Sequence, residues 1–94
     1  MDNRYEAHIT ADIKHAELVK AASNATGWKY SQIHGCPIMG DKTYCYLTHY
    51  STNARLLKNQ LEAIETLLKM GAVPVLRAKI EQILYDTKTG VNLI

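Results

Sequence analysis

The sequence predicts a single α+β domain in which four strands and two helices follow the order β-α-β-β-α-β. Three observations carry this prediction. Residues 4–11 alternate apolar and polar side chains with the period of a half-buried strand. Aromatic and β-branched residues flank a turn-forming stretch at residues 35–41, as in a hairpin. From Leu57 to Leu68, apolar residues recur at the spacing of an amphipathic helix.

The first helix follows the first strand directly. Asp12 is a suitable N-cap residue, and Gly27 is a typical C-terminal stop after a helix that ends at about Thr26. Between them, apolar side chains recur at helical spacing at Ile13, Ala16, Val19 and Ala22.

The remaining elements are placed by the same signals. Strands are predicted at residues 28–34 and 43–50, and a second helix runs from the N-cap candidates at residues 51–53 to Gly71. A last strand is predicted at about residues 73–85. The tail at residues 87–94 is expected to be loosely held.

This order of elements is that of the ferredoxin-like fold. It predicts a four-stranded antiparallel sheet in the order 4-1-3-2, with both helices on one face and the other face open. We expect strands one and three to lie side by side in the middle, running parallel. Function is then expected on the open face.

Length and charge limit the function classes. Ninety-four residues suffice for one domain, which spans residues 1–94. A net charge of +2 is too small to indicate a nucleic-acid or membrane partner by itself. No apolar run approaches the roughly 18 residues of a membrane span. We therefore expect a soluble, cytoplasmic protein in which Cys36 and Cys45 stay reduced.

Two short motifs combine a histidine with a hydroxyl two residues later, His8 with Thr10 and His49 with Ser51. On a strand, this spacing points both side chains to the same face. An imidazole and a hydroxyl can together hold a phosphate, and two histidines can act as acid and base. Parallel central strands would place both motifs at the same end of the sheet.

The paired His-x-Thr and His-x-Ser motifs resemble those of the 2H phosphoesterases. The resemblance implies metal-independent cleavage of phosphodiesters or cyclic phosphates, with His8 and His49 as catalytic residues. Those enzymes usually have two lobes and about twice this length. The chain also resembles small uncharacterised ferredoxin-like proteins through residues 5–10 (Tyr-Glu-x-His-Ile-Thr) and 77–81 (Arg-x-Lys-Ile-Glu), which implies the fold but no activity.

The face occupied by His49 is open at this stage. If Cys45 and Leu47 face the helices, His49 shares their face; a bulge near Thr48 would reverse this. The alternative is that His8 is a solvated or hydrogen-bonded strand residue and that His49 caps the entry of the second helix.

Arg77 and Lys79 share a face of the last strand, next to strand one, where they can supply positive charge for a phosphate. Glu6 or Glu81 can orient an imidazole. The alternative is a cross-strand ladder of ion pairs that keeps an exposed edge soluble.

Tyrosines on the second and third strands, Tyr46 among them, suggest stacking on nucleic-acid bases. The alternative is that they fill the core. A metal site built from His34, Cys36, Cys45 and His49 is disfavoured, because ligands strung along a strand ladder do not converge. We predict no metal and no cofactor.

Two functions follow as hypotheses. The first is binding of a phosphate-containing ligand, a nucleotide or RNA, on the open face through His8, Thr10, Tyr46, His49, Ser51, Arg77 and Lys79, with 2H-like hydrolysis as its catalytic form. The alternative is a non-catalytic module that recognises a protein or RNA. A bare sheet face with an edge strand further predicts a homodimer.

Overall fold

The computed structural model describes residues 4–34, 43–87 and 90–94. The predicted turn at residues 35–41 lies outside this part of the chain. The predicted order of strands and helices is confirmed, with a short ribbon added after the last predicted strand. The elements are β1 (Tyr5–Asp12), α1 (Ala16–Thr26), β2 (Lys29–His34), β3 (Thr43–Ser51), α2 (Ala54–Met70), β4 (Arg77–Gln82), β5 (Tyr85–Asp86) and β6 (Val91–Asn92).

The main sheet has four antiparallel strands in the order β2-β3-β1-β4. The expectation that the first and third strands run parallel is wrong. β1 and β3 pair antiparallel, from Tyr5 opposite Ser51 to Asp12 opposite Tyr44. The reason is that β3 also runs antiparallel to β2, so that β1 and β2 share one direction and β3 lies between them in the other.

The ends of α1 follow the local signals of the sequence. The Asp12 carboxylate accepts a hydrogen bond from the N–H of Lys14 at 3.0 Å, beginning a 3₁₀ turn at Ile13–His15 that leads into α1. At the other end, Gly27 adopts a φ of +79°, and its N–H donates to the carbonyl of Ser23. A residue with a Cβ atom would be strained in this left-handed conformation, so glycine ends the helix.

The second helix is held by a similar cap. Asn53 Oδ1 accepts a hydrogen bond from the N–H of Leu56 at 3.0 Å, which satisfies one of the free donors of the first turn. Gly71 follows the last residue of α2, as predicted. The buried side of α2 consists of the predicted apolar positions Leu57, Leu61, Ile64 and Leu68.

The core joins alternate strand residues to both helices. Ile9 on β1 and Leu47 on β3 are buried in one cluster with Val19 of α1 and Leu57 and Ile64 of α2. Because successive residues of a strand point to opposite sides, the remaining positions of β1 and β3 lie on the other side of the sheet. We call that other side the polar face.

The C-terminal part of the chain differs from the prediction in two ways. β4 covers only Arg77–Gln82, fewer residues than the predicted strand at 73–85. The tail is also more ordered than expected, because Tyr85–Asp86 pairs with Val91–Asn92 in a two-stranded ribbon. Val91 is buried, and this burial anchors the ribbon. Within the described residues, no helix has the length and apolar content needed to cross a bilayer.

The cap of α2 gives a test of the fold. We expect Asn53→Ala to lower the free energy of unfolding by about 1 kcal/mol, because the N–H of Leu56 loses its acceptor. The matched control is Asn59→Ala, the same change at an exposed position within α2, which should leave stability unchanged or slightly higher. Urea unfolding measures both; equal effects would contradict the observed start of the helix.

Candidate functional site

The polar face is organised in rows that run across the strands. We call the row formed by Lys29, Thr48, His8 and Lys79, one residue from each strand, the central row. Neighbouring strands are about 4.8 Å apart, so the two lysines lie at the ends of a strip about 14 Å wide.

Two flanking rows differ in charge. On one side of the central row lie Ser31, Tyr46, Thr10 and Arg77. On the other side lie Tyr50, Glu6 and Glu81. Positive charge is therefore concentrated in the central row and on its Arg77 side, and negative charge on its Glu6 side.

His8 is held at both ring nitrogens. Its Nε2 lies 2.7 Å from Glu6 Oε1, and its Nδ1 lies 3.1 Å from Thr48 Oγ1. Both His8 and Glu6 are only partly exposed, with side-chain exposures of 24% and 20%. Because a carboxylate can only accept, the proton of a neutral His8 lies on Nε2, and the Thr48 hydroxyl donates to Nδ1. The imidazole is therefore fixed in one orientation.

Lys79 lies directly across from His8 and pairs with Glu81 on its own strand. The hydrogen bond from Lys79 holds the pKa of the Glu81 carboxyl below its ordinary value, and the charges of Lys79, His8 and Arg77 lower it further, against a small opposing effect of burial. Both side chains are more than a third exposed, so the pair contributes little to stability. It does keep the ammonium group close to His8.

Tyr50 closes the acidic side of the face. Burial raises the pKa of its phenol, as do the charges of Glu6 and Asp86 and a hydrogen bond with Glu6. Tyr50 therefore stays protonated and contacts the same carboxylate that holds His8. Of the other aromatic residues, Tyr44 and Trp28 are buried, whereas Tyr46 is partly exposed on the polar face.

His49 and Ser51 do not join His8 and Thr10. The register of β1 with β3 continues without a bulge along its whole length, so His49 and Ser51 share the side of Leu47, opposite to His8. The ring of His49 stacks on Trp28 with a centroid distance of 5.1 Å. The Ser51 hydroxyl accepts a hydrogen bond from the N–H of Asn53 at 3.0 Å, just before α2. His49 therefore does not cap α2, as the alternative from the sequence expected, because Asn53 is the N-cap and the His49 ring contacts Trp28 instead.

The expectation that the C-terminal ends of the first and third strands meet at one end of the sheet is wrong, because β1 and β3 run antiparallel. In their register, Thr48 and not His49 is the residue opposite His8. Thr10 stands opposite Tyr46 and Arg77, so these three predicted residues do share one row. Thr10 itself is buried, however, in contrast to the exposed position that the sequence predicted for it. The sequence interpretation missed Thr48 and Lys29 as members of the site. Alternation of side chains along β2 and β3 would have placed both residues on the polar face.

The candidate metal ligands are not assembled. Cys36 lies outside the described residues. Cys45 is fully buried, and burial raises the pKa of its thiol, which disfavours the thiolate that metals bind. The imidazole of His34 pairs with the Thr43 hydroxyl. In the part of the chain that the structure describes, no three His, Cys, Asp or Glu residues are grouped to hold a metal ion.

An apolar cavity of about 380 Å³ lies elsewhere, between α1 and the end of α2. Leu18, Ala22, Leu67, Met70 and Val73 are among the residues that line it. No residue of the polar face lines the cavity, so the two are separate features of the molecule.

Comparison with known proteins adds no family: the chain matches no protein-family model, no curated protein and no solved structure. The function must therefore be inferred from the polar face itself.

The stacked position of His49 predicts a pH dependence of stability. Burial lowers the pKa of His49 below its ordinary value of 6.5. As the pH falls below 6.5, the unfolded chain takes up a proton more readily than the native protein, so the free energy of unfolding decreases. We expect His49→Gln to reduce this decrease in urea unfolding curves between about pH 7.5 and pH 5.5. An unchanged pH dependence in the variant would contradict the assignment to His49.

Proposed function

We propose that the polar face binds a phosphate-containing ligand, a nucleotide or RNA, centred on His8. The observation that carries the proposal is the central row, in which an imidazole and a hydroxyl lie between two lysines. Charge-assisted hydrogen bonds from such groups are the usual means of holding phosphate. Arg77 in the adjacent row extends the same chemistry, and Tyr46 offers a ring for stacking on a base. Thr10 belongs to the same row but is only 6% exposed, which does not favour contact with a ligand.

The hydrogen bonds of His8 suggest how the row responds to an anion. With neutral His8, the Thr48 hydroxyl donates to Nδ1 and has no proton left for a ligand. When His8 is protonated, both ring nitrogens donate, one to Glu6 and one to Thr48. The Thr48 hydroxyl can then turn its proton to a phosphate oxygen. In this proposal His8 positions the Thr48 hydroxyl, and Glu6 holds the imidazole in its orientation.

Lys79 remains available to the ligand despite its ion pair. An ammonium group has three donors, and the bond to Glu81 uses only one of them. The pair with Glu81 thus holds Lys79 beside His8 without consuming its capacity to bind. Arg77, two residues earlier on the same strand, presents a planar fork that suits two phosphate oxygens at once.

The same geometry favours binding over cleavage. The 2H resemblance implies two histidines at one ligand, and His49 lies on the other side of the sheet. Both ring nitrogens of His8 are engaged within the chain, so it is poorly placed to exchange protons with a reacting group. A non-catalytic module that binds a nucleotide or RNA is therefore the function we propose, and 2H-like hydrolysis is its rival.

We further infer that the fold is ferredoxin-like, with both helices packed against the side of the sheet opposite the polar face. The strand order and the shared core of strand and helix residues support this inference. A cytoplasmic location stays a prediction from the sequence.

Binding is tested with two probes, a fluorescent single-stranded RNA oligonucleotide and a 2′,3′-cyclic nucleotide. We expect Lys79→Ala to weaken binding about tenfold, as the loss of one charge-assisted hydrogen bond does. For RNA, the variant should also reduce the dependence of affinity on salt, because fewer counterions are released. Fluorescence anisotropy and titration calorimetry measure these effects. Lys58→Ala, on the exposed side of α2, is the matched control and should bind as the parent does.

A second pair of variants tests the role of His8. His8→Ala and Thr48→Val should both weaken binding, the first more strongly, while the thermal melts of both stay close to that of the parent. If neither probe binds at low salt, the phosphate proposal is refuted. Product formation from the cyclic nucleotide in EDTA, lost in His8→Ala, would instead favour the hydrolytic rival.

A further inference from the structure

The outer edge of β4 is free to pair with another strand. The N–H of Ile83 donates to the carbonyl of Arg4 at 2.7 Å, which makes these two residues a hydrogen-bonded pair of the ladder with β1. Such pairs alternate along antiparallel strands. The backbone groups of Ala78, Ile80 and Gln82 therefore point away from β1. Among the described residues, no strand pairs with this edge.

Apolar side chains flank the same edge. Leu76 precedes β4 and Leu84 follows it, and each is 49% exposed. Ile80, at the middle of the strand, is partly buried against the core. An exposed edge with apolar residues at both ends is a surface that proteins usually protect or use for association.

The edge is complementary to itself about Ile80. In an antiparallel pair of identical strands centred on this residue, Lys79 of one copy stands opposite Glu81 of the other, and the same contact occurs twice by symmetry. Leu76 and Leu84 lie outside β4, and the N–H of Leu76 is bonded to the carbonyl of Thr10. The charges of Lys79 and Glu81 therefore select the register.

We propose that two copies of the chain join through their β4 edges, antiparallel and with Ile80 opposite Ile80, so that the two sheets form one continuous eight-stranded sheet. This proposal does not depend on the ligand of the polar face. In this arrangement Lys79 lies beside Glu81 of its own chain and opposite Glu81 of the other chain, so each lysine keeps a carboxylate partner.

Other pairings fit less well. A register centred on Lys79 would place two lysines directly opposite each other, which is destabilising. The other edge of the sheet, β2, carries Lys29 but no carboxylate, so it cannot form complementary charge pairs with a copy of itself.

A charge exchange at β4 tests the interface. Light scattering at roughly 100 µM should give the parent a mass of about twice 10.6 kDa. Lys79→Glu and Glu81→Lys should each weaken dimerisation about tenfold, because each sets like charges opposite each other at two places. The double variant K79E/E81K should restore the dimer. Lys58→Glu on α2 is the control for the change in net charge, and circular dichroism confirms that each variant is folded.

Cysteine cross-linking tests the register independently of charge. Under oxidation, Ile80→Cys should give a covalent dimer, because residues opposite each other in a hydrogen-bonded pair have Cα atoms about 5.5 Å apart. Ala78→Cys should not, because its two copies would be about 13 Å apart along the strands. The unmodified chain, treated alike, sets the background from Cys36 and Cys45.

Four results would overturn the proposal. These are a monomeric parent at this concentration, single charge variants that dimerise like the parent, a double variant that stays monomeric, and cross-linking through Lys79→Cys in preference to Ile80→Cys. Binding of RNA or nucleotide is measured separately, so failure of the dimer leaves the proposed function standing, and the converse also holds.

Discussion

The unbroken antiparallel register between β1 and β3 is the constraint on which the rest of the structure depends. Side chains alternate between the two sides of a strand, so a shift of one residue would exchange the core set for the polar set. With Ile9 opposite Leu47, the apolar side chains of both strands meet the helices together. The same register sets His8 beside Thr48 and turns His49 to Trp28. Core and candidate site are therefore two consequences of one pairing.

The charged groups of the polar face form separate pairs that stay partly exposed to solvent. Its carboxylates are paired with His8, Lys79 and Tyr50, all in partly exposed positions where such pairs contribute little to stability. An anion that takes over some of these contacts therefore costs the fold little. In contrast, the His49 side of the same strand is held by apolar contact, where an added proton is unfavourable. The two histidine motifs thus lie in environments that suit opposite tasks.

The position of β4 links the site to the edge of the sheet. Lys79 and Glu81 contact His8 and Glu6 on one side through the ladder with β1, and on the other side they border an edge without a partner strand in the described chain. A strand with alternating charges in this position protects the edge from unspecific pairing. In the dimer that we propose, the opposite charges of Lys79 and Glu81 on either side of Ile80 would select another copy of the same strand as the partner.

The sequence by itself determined the elements and their order, because these depend on local signals. Asp12, Gly27 and Asn53 mark helix ends through bonds and backbone conformations within a few residues, and the apolar period of α2 needs only one face to be buried. The placement of Lys79 and Glu81 next to His8 and Glu6 also followed from the predicted strand order and alternation.

Tertiary structure decided which residues meet. The direction of β3 relative to β1, the absence of a bulge at Thr48 and the length of β4 all depend on hydrogen bonds between residues far apart in sequence. The sequence of a motif such as His49 with Ser51 is the same whichever side of the sheet its side chains occupy. Its side is decided by the packing of His49 against Trp28. The partner of His8 is Thr48, forty positions away in the sequence. Alternation along β3 places Thr48 on the polar face, but only the register with β1 sets it opposite His8.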